Sequence, residues 1–131
     1  MGKQIIKSPN APEALGPYSQ AVKIGKSLYI SGQIGIEPKT GQIPEGIEAQ
    51  TRQVFANIKA ILKEANFSLE DVVSCDVYLK NLADFPTMNK IYAEFFDPFC
   101  KENGYPSRAT VEVSNIPKSA LLEIKTIAVK D

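Results

Sequence analysis

The chain has no histidine among its 131 residues. That excludes a His-based catalytic triad, a His-ligated metal and an imidazole general base. Any chemistry must run on carboxylates, Arg, Lys, Tyr, Ser/Thr, Cys or backbone groups. Cysteine is scarce. Cys75 and Cys100 stand alone, without metal-ligand spacing and without a disulfide framework. Both read as buried, reduced thiols in a reducing compartment. Net charge is also missing, because 15 Lys and Arg balance 15 Asp and Glu. A nucleic-acid binder normally carries a basic excess that displaces counterions, so no nucleic-acid partner is expected. No apolar run reaches the length of a membrane span, and no charged-then-apolar segment opens the chain. A cytoplasmic protein without a membrane partner is expected.

What is present is ordinary for a globular chain: 44% hydrophobic and 23% charged residues. The length suits one domain, 1–131, around a single core. Residues 3–7 suggest a short first strand. Residues 8–19 hold Pro9, Pro12, Gly16 and Pro17 and read as a loop. Tyr18 follows the Gly16-Pro17 pair and is therefore rigidly placed, either at a site or at the core edge. Residues 20–24 and 27–34 form a hairpin around Gly25-Lys26. Gly32 inside the second of these strands points to a bulge, or to the close approach of a ligand or another backbone.

A helix is expected from Ile47 to Ala65, because Val54, Ile58, Ile61, Leu62 and Ala65 fall on one stripe. Asn66 suits a left-handed helix end. Val72–Leu79 reads as a strand in which Val73, Cys75, Val77 and Leu79 alternate with Val72, Ser74, Asp76 and Tyr78, so strand, helix and strand make a crossover unit. In a second helix Met88, Ile91, Tyr92, Phe95 and Phe96 form the apolar stripe. Asp84 is its expected N-cap, Pro86 sits in the first turn, and Pro98 is expected to end it. Asn89 lies beside the stripe, where an asparagine ordinarily faces solvent.

The stretch from Tyr105 to Ile127 holds two alternating segments around a loop at Ser114–Ala120 that contains Pro117, the pattern of a pair of sheet strands. In the first, Ala109, Val111 and Val113 share one face, and Arg108, Thr110 and Glu112 the other. In the second, Leu122, Ile124 and Ala128 share a face, opposite Glu123 and Lys125. An arginine beside a hydroxyl, with glutamates close by, can bind a small anion and do proton chemistry on it. Satisfied ion pairs on a sheet surface are the commoner explanation of such a pattern. Two amphipathic helices cover only one face of a sheet of about six strands. The uncovered strands are too apolar to stay bare, so oligomerisation through the sheet is expected, with a site between chains.

Across essentially its whole length the chain resembles the RidA/YjgF family of enamine/imine deaminases. The early motifs are Gly16-Pro17-Tyr18-Ser19-Gln20 and Ser31-Gly32-Gln33-Ile34. The most specific part is Pro106-Ser107-Arg108, Val111-Glu112-Val113, Ile116-Pro117-Lys118, Leu122-Glu123-Ile124 and Ile127-Ala128, with gapless spacing from Arg108 to Ala128. The resemblance implies a chorismate-mutase-like α+β fold, a mixed sheet with two helices on one face. It implies a homotrimer with sites between subunits. It also implies hydrolysis of 2-iminobutanoate and 2-iminopropanoate, formed from 2-aminoacrylate-type intermediates, to 2-oxo acids and ammonia, with no cofactor and no metal. By the same resemblance Arg108 holds the substrate carboxylate, a task its planar fork suits. Glu123 orients or activates water, and Tyr18, Gly32, Asn89 and Thr110 line the cleft. Thr110 departs from the cysteine that many members carry there, which argues against an obligatory thiol step. Glu112 is assigned a structural ion pair. The competing expectation is a non-enzymatic trimer that senses a small carboxylate. A ribonuclease role, attached to some relatives, fits poorly with zero charge and no histidine.

Overall fold

Alternating strands and two amphipathic helices assemble into one mixed sheet with both helices on one face. The computed structural model describes residues 2–131. The strands are β1 (Gln4–Ile6), β2 (Ala21–Ile24), β3 (Ser27–Gln33), β4 (Val72–Leu79), β5 (Ser107–Glu112) and β6 (Leu122–Val129), and the helices are α1 (Ile47–Glu64) and α2 (Phe85–Cys100). The sheet order is β1-β2-β3-β6-β4-β5. β6 is antiparallel to both its neighbours, and β5 runs parallel to β4 at the edge.

The strand pattern sorts the sheet into a dry face and an open one. Leu28 and Ile30 on β3, Cys75, Val77 and Leu79 on β4, and Leu122, Ile124, Thr126 and Ala128 on β6 are all buried under the helices. The residues between them turn to the other face. There Tyr29, Val111 and Val129 are each at least 40% exposed. Phe55 of α1 anchors the helix layer, stacking on Phe95 at 4.8 Å and meeting Tyr92 and Phe96 edge-on at 5.7 and 5.6 Å. Removing a buried ring of this kind costs about 3–5 kcal/mol. Outside the core, Arg52 ties α1 to α2 by bonding both Glu48 and Glu94.

Local signals act as their chemistry dictates. Gly25 takes φ +56° in the two-residue turn between Ile24 and Ser27. Asn66 takes φ +63° after α1. The N–H of Phe67 then reaches Leu62 O and that of Asn66 reaches Lys63 O, which is a Schellman ending.

Three expectations are corrected. The strands around the Ser114–Ala120 loop are not neighbours, because β4 lies between β5 and β6. Pro98 lies inside α2, which runs on to Cys100. Proline forfeits one backbone donor so near the helix end, and Lys101 N–H still bonds Asp97 O. Asp84 does stand at the N-cap position of α2, but its side chain makes no cap bond. A 3-10 turn over Leu82–Asp84 precedes α2 instead, and Asn81 caps that turn by accepting from Ala83 N–H. The crossover reading is sustained in modified form, since β3 and β4 are parallel with β6 between them.

Candidate active site

The residues expected to act together are separated into two groups on opposite faces of the sheet. Arg108 is paired with Cys75, and Thr110 with Val77. Both therefore share the helix-covered face, at its edge. Glu123 is paired with Tyr78, and Lys125 with Asp76, on the open face. A single copy of the chain does not bring Arg108 and Glu123 onto one small molecule. Their shared alternation was legible; the β4 strand between them was not.

The first group is built by α2 and β5. Phe85, Asn89 and Tyr92 fall at i, i+4 and i+7, one stripe of α2 that meets the edge strand. The Arg108 guanidinium lies over the Tyr92 ring at 4.6 Å and near the Phe85 ring at 5.4 Å. Its Nη1 donates to Asn89 Oδ1 at 2.8 Å. Asn89 is exposed, as its position predicts, yet it is engaged. Among the described residues the ion pairs belong to Arg52, and no carboxylate pairs with Arg108. An exposed guanidinium held in place without a counter-ion is available to an anion. Beneath it Thr110 Oγ1 and Tyr92 Oη are buried without a hydrogen-bond partner. The Cys75 thiol lies beside Tyr92, and burial pushes it up to about 11, so it is a neutral, unreactive thiol. A cleft of about 480 Å³ here is lined by Asn89, Tyr92, Tyr105 and Arg108 among others.

The second group is built by β3, β6 and the loop before β2. The register between β3 and β6 shifts between Ile30 and Gln33, and Gly32 sits in that bulge. The Glu123 carboxyl lies against it so closely that a β-carbon on Gly32 would be 2.1 Å from Oε2. The expected bulge is present; what approaches is this carboxylate. Burial alone raises the Glu123 carboxyl above the usual carboxylate range.

Gln20 holds the loop that carries Tyr18. Its Oε1 accepts from Ser8 N–H at 2.6 Å, and its Nε2 donates to Ser8 O and Pro12 O at 3.2 and 2.8 Å. Ser31 Oγ donates to Ser19 O at 2.6 Å, tying the loop to β3. Tyr18 is left 55% exposed at the mouth of a cleft of about 600 Å³, whose lining includes Gly32, Pro117, Lys118 and Glu123. Lys118 and Ser119 both have positive φ, +59° and +56°. Two such non-glycine residues beside a cleft mark a loop held in shape by its surroundings.

Glu112 is corrected from an ion pair to a backbone anchor, since its Oε1 accepts from Leu82 N–H at 2.8 Å. Sequence reasoning placed Tyr92 only in the core stripe and did not single out Phe85. Their spacing around Asn89 was the available signal. Among the described residues no group of three or more His, Cys, Asp or Glu is placed to hold a metal. No helix of the structure is long and apolar enough to cross a membrane.

A family model described as Endoribonuclease L-PSP matches residues 8–130. The chain belongs to this family, the RidA/YjgF family of the sequence resemblance. A RutC family protein of Pyrococcus horikoshii is 52% identical over 98% of this chain and 99% of its own length. A Dermatophagoides farinae protein named 2-iminobutanoate/2-iminopropanoate deaminase is 40% identical over 97% of this chain and 96% of its own. The crystal structure of Escherichia coli TdcF with bound serine matches with a TM-score of 0.92 at 41% identity, covering 98% of this chain and 99% of that one. The family thus includes members named as imine deaminases beside members that carry only a family name, and the α+β fold is that of its solved members.

Proposed function

We propose that this chain is a cofactor-independent imine hydrolase of the cytoplasm that converts 2-iminobutanoate and 2-iminopropanoate to 2-oxo acids and ammonia. The observation that carries the reading is the unpaired guanidinium of Arg108, held by Asn89 and two rings. Such a fork matches one carboxylate by two parallel hydrogen bonds. The half-buried Glu123 supplies the complementary proton chemistry, since burial raises the affinity of its carboxylate for a proton, which suits it to accept one from water and hand it on.

The two groups come together between copies. Tyr29, Val111 and Val129 leave the open face of the sheet too apolar to stay in water, so other copies cover it. A ring of three sets unlike patches of neighbouring copies against each other. That arrangement lets Arg108, Asn89 and Thr110 of one copy face Tyr18, Gly32 and Glu123 of the next. Arg108 anchors the carboxylate. Glu123 takes a proton from water as its oxygen adds to the carbon of the protonated imine, and returns that proton to the amine nitrogen of the adduct. As the C–N bond breaks and ammonia leaves, Glu123 takes the remaining hydroxyl proton, which completes the carbonyl, and passes it to solvent. Fixing the substrate and the water in this way supplies up to about 7–11 kcal/mol of the barrier.

The test is 2-oxobutanoate release from 2-iminobutanoate generated by threonine dehydratase. Wild type accelerates release and Arg108→Ala does not. Co-expressed Arg108→Ala and Glu123→Gln chains regain about one site in four, because each mixed ring then contains intact pairs. Sites built within one copy would regain nothing. A folded wild type that binds 2-oxobutanoate without accelerating release would instead be a carboxylate sensor.

A further inference from the structure

Arg108 is exposed, on an edge strand, and without a carboxylate partner, conditions under which a long side chain ordinarily samples many rotamers. It is nevertheless placed by three contacts from a single helix: the Asn89 hydrogen bond and the faces of Tyr92 and Phe85. We propose that Tyr92 and Phe85 form an aromatic seat that sets the plane of the Arg108 guanidinium, and that they are positioning residues deciding how a ligand's carboxylate is presented. The inference rests on the reading above for its ligand class, the imino and 2-oxo acids, and deepens it.

The geometry gives the seat a direction. A guanidinium lying over a ring face turns its N–H groups outward in its own plane. Asn89 takes a hydrogen of Nη1. The edge formed by Nε and Nη2 is then left for a carboxylate, which it can bind with two parallel bonds. A lysine could not inherit this arrangement, because an ammonium has no plane to set.

The seat is also rigid. Tyr92 is 5% exposed and is itself wedged against Phe96 at 4.7 Å and Phe55 at 5.7 Å. The orientation of Arg108 is therefore inherited from the core. The ring performs this role without its hydroxyl, since Tyr92 Oη is buried and has no hydrogen-bond partner among the described residues. A residue that merely fills the core would affect folding and leave the charge of the ligand irrelevant. A seat affects carboxylates selectively.

The experiment is calorimetric titration of 2-oxobutanoate and of its neutral carboxamide into wild type, Tyr92→Phe and Tyr92→Leu, with imine hydrolysis measured in parallel. Tyr92→Phe keeps both affinities. Tyr92→Leu loses about tenfold for the carboxylate, the scale of a partly desolvated cation–π contact, while its affinity for the carboxamide is unchanged. If Tyr92→Leu does not fold, Phe85→Leu, on a partly exposed ring, carries the same comparison. A folded variant that binds 2-oxobutanoate like wild type, or one that loses both ligands equally, overturns the seat. Wild type that binds 2-oxobutanoate but hydrolyses no imine removes the deaminase reading and leaves the seat standing. Wild type that binds neither ligand removes both.

Discussion

A β-carbon on Gly32 would lie 2.1 Å from Oε2 of Glu123 and 3.0 Å from its Cγ. The smallest possible side-chain addition on β3 therefore collides with the proposed proton carrier on β6. The colliding atoms belong to the far end of a flexible side chain, so Glu123 can move aside at little cost to the fold. Gly32→Ala is expected to melt close to wild type, at a cost of about 1 kcal/mol or less. Its imine hydrolysis should fall about 100-fold, the scale of a 1 Å misplacement. Parallel melting and turnover measurements check this, and equal losses in both would contradict it.

Glu123 also links stability to pH. Burial raises its carboxyl above the usual carboxylate range in the folded chain. The unfolded chain therefore releases this proton first as pH rises. Folded stability attributable to Glu123 is fully present below the unfolded pKa and declines as pH rises through the folded one. Glu123→Gln removes that decline. The variant should be more stable than wild type at neutral pH, less so in acid, and inactive at both. Denaturant unfolding across the carboxylate range reads the difference directly.

The thiols should be silent. Cys75 is pushed up to about 11 and Cys100 is also raised, in both cases mainly by burial. Neither is a thiolate near pH 8, and both are buried. Ellman's reagent should label no thiol in the native protein and both after denaturation. Treatment of the native protein should leave imine hydrolysis unchanged, as expected of a chain with Thr110 at the position where a cysteine is common.

Gln20 acts as a clasp. Its amide bonds four backbone groups of residues 8–12 from a buried position: Ser8 N–H, Ser8 O, Ala11 O and Pro12 O. Gln20→Ala strands Ser8 N–H and should cost about 1–3 kcal/mol. Gln20→Glu keeps the acceptor but turns an oxygen toward Ser8 O and Pro12 O. It should therefore fare no better than alanine at neutral pH. Chemical denaturation compares them, and hydrogen exchange at Ala11 and Tyr18 reports whether the loop has loosened.

Val111 reports on assembly. It lies on the open face of the edge strand and is 46% exposed. If the proposed ring forms through this face, Val111→Lys should dissociate it, as read by light scattering, and abolish hydrolysis, because the two groups of site residues then lie on separate molecules. A folded, dissociated variant with full activity would place the site within one copy.

Periodicity carried the reading of this chain as far as single elements. The stripe Val54, Ile58, Ile61 and Leu62 announced α1, and all four residues are buried. The alternation of β4 grouped Val73 with Cys75, Val77 and Leu79; the last three are buried, but Val73 is exposed and Val72 is buried in its place, because the register against β6 shifts between Val72 and Ser74. Asn66 marked a helix end through its tolerance of positive φ. Alternation reports which residues share a face of one strand, and says nothing about which strand lies beside it. That is why Arg108 and Glu123 read as companions although β4 parts them. Pro98 misled for a related reason, since a single missing donor near a helix end is tolerated where surrounding packing holds the last turn. The role of Tyr92 was hidden because one ring serves two surfaces, with its edge in the core and its face under Arg108.

The position of β6 has a consequence for how the chain comes to be folded. It is synthesised after every other strand of the sheet, yet it is the seam that joins β1-β2-β3 to β4-β5. Until Leu122–Val129 emerges, the chain is two sheet fragments with exposed inner edges and an unclosed core. Such a nascent chain is aggregation-prone, and its decisive contacts span most of the sequence. The strand that carries Glu123 is therefore also the one whose arrival commits the protein to its fold. A fragment ending before it would have no single sheet on which to assemble.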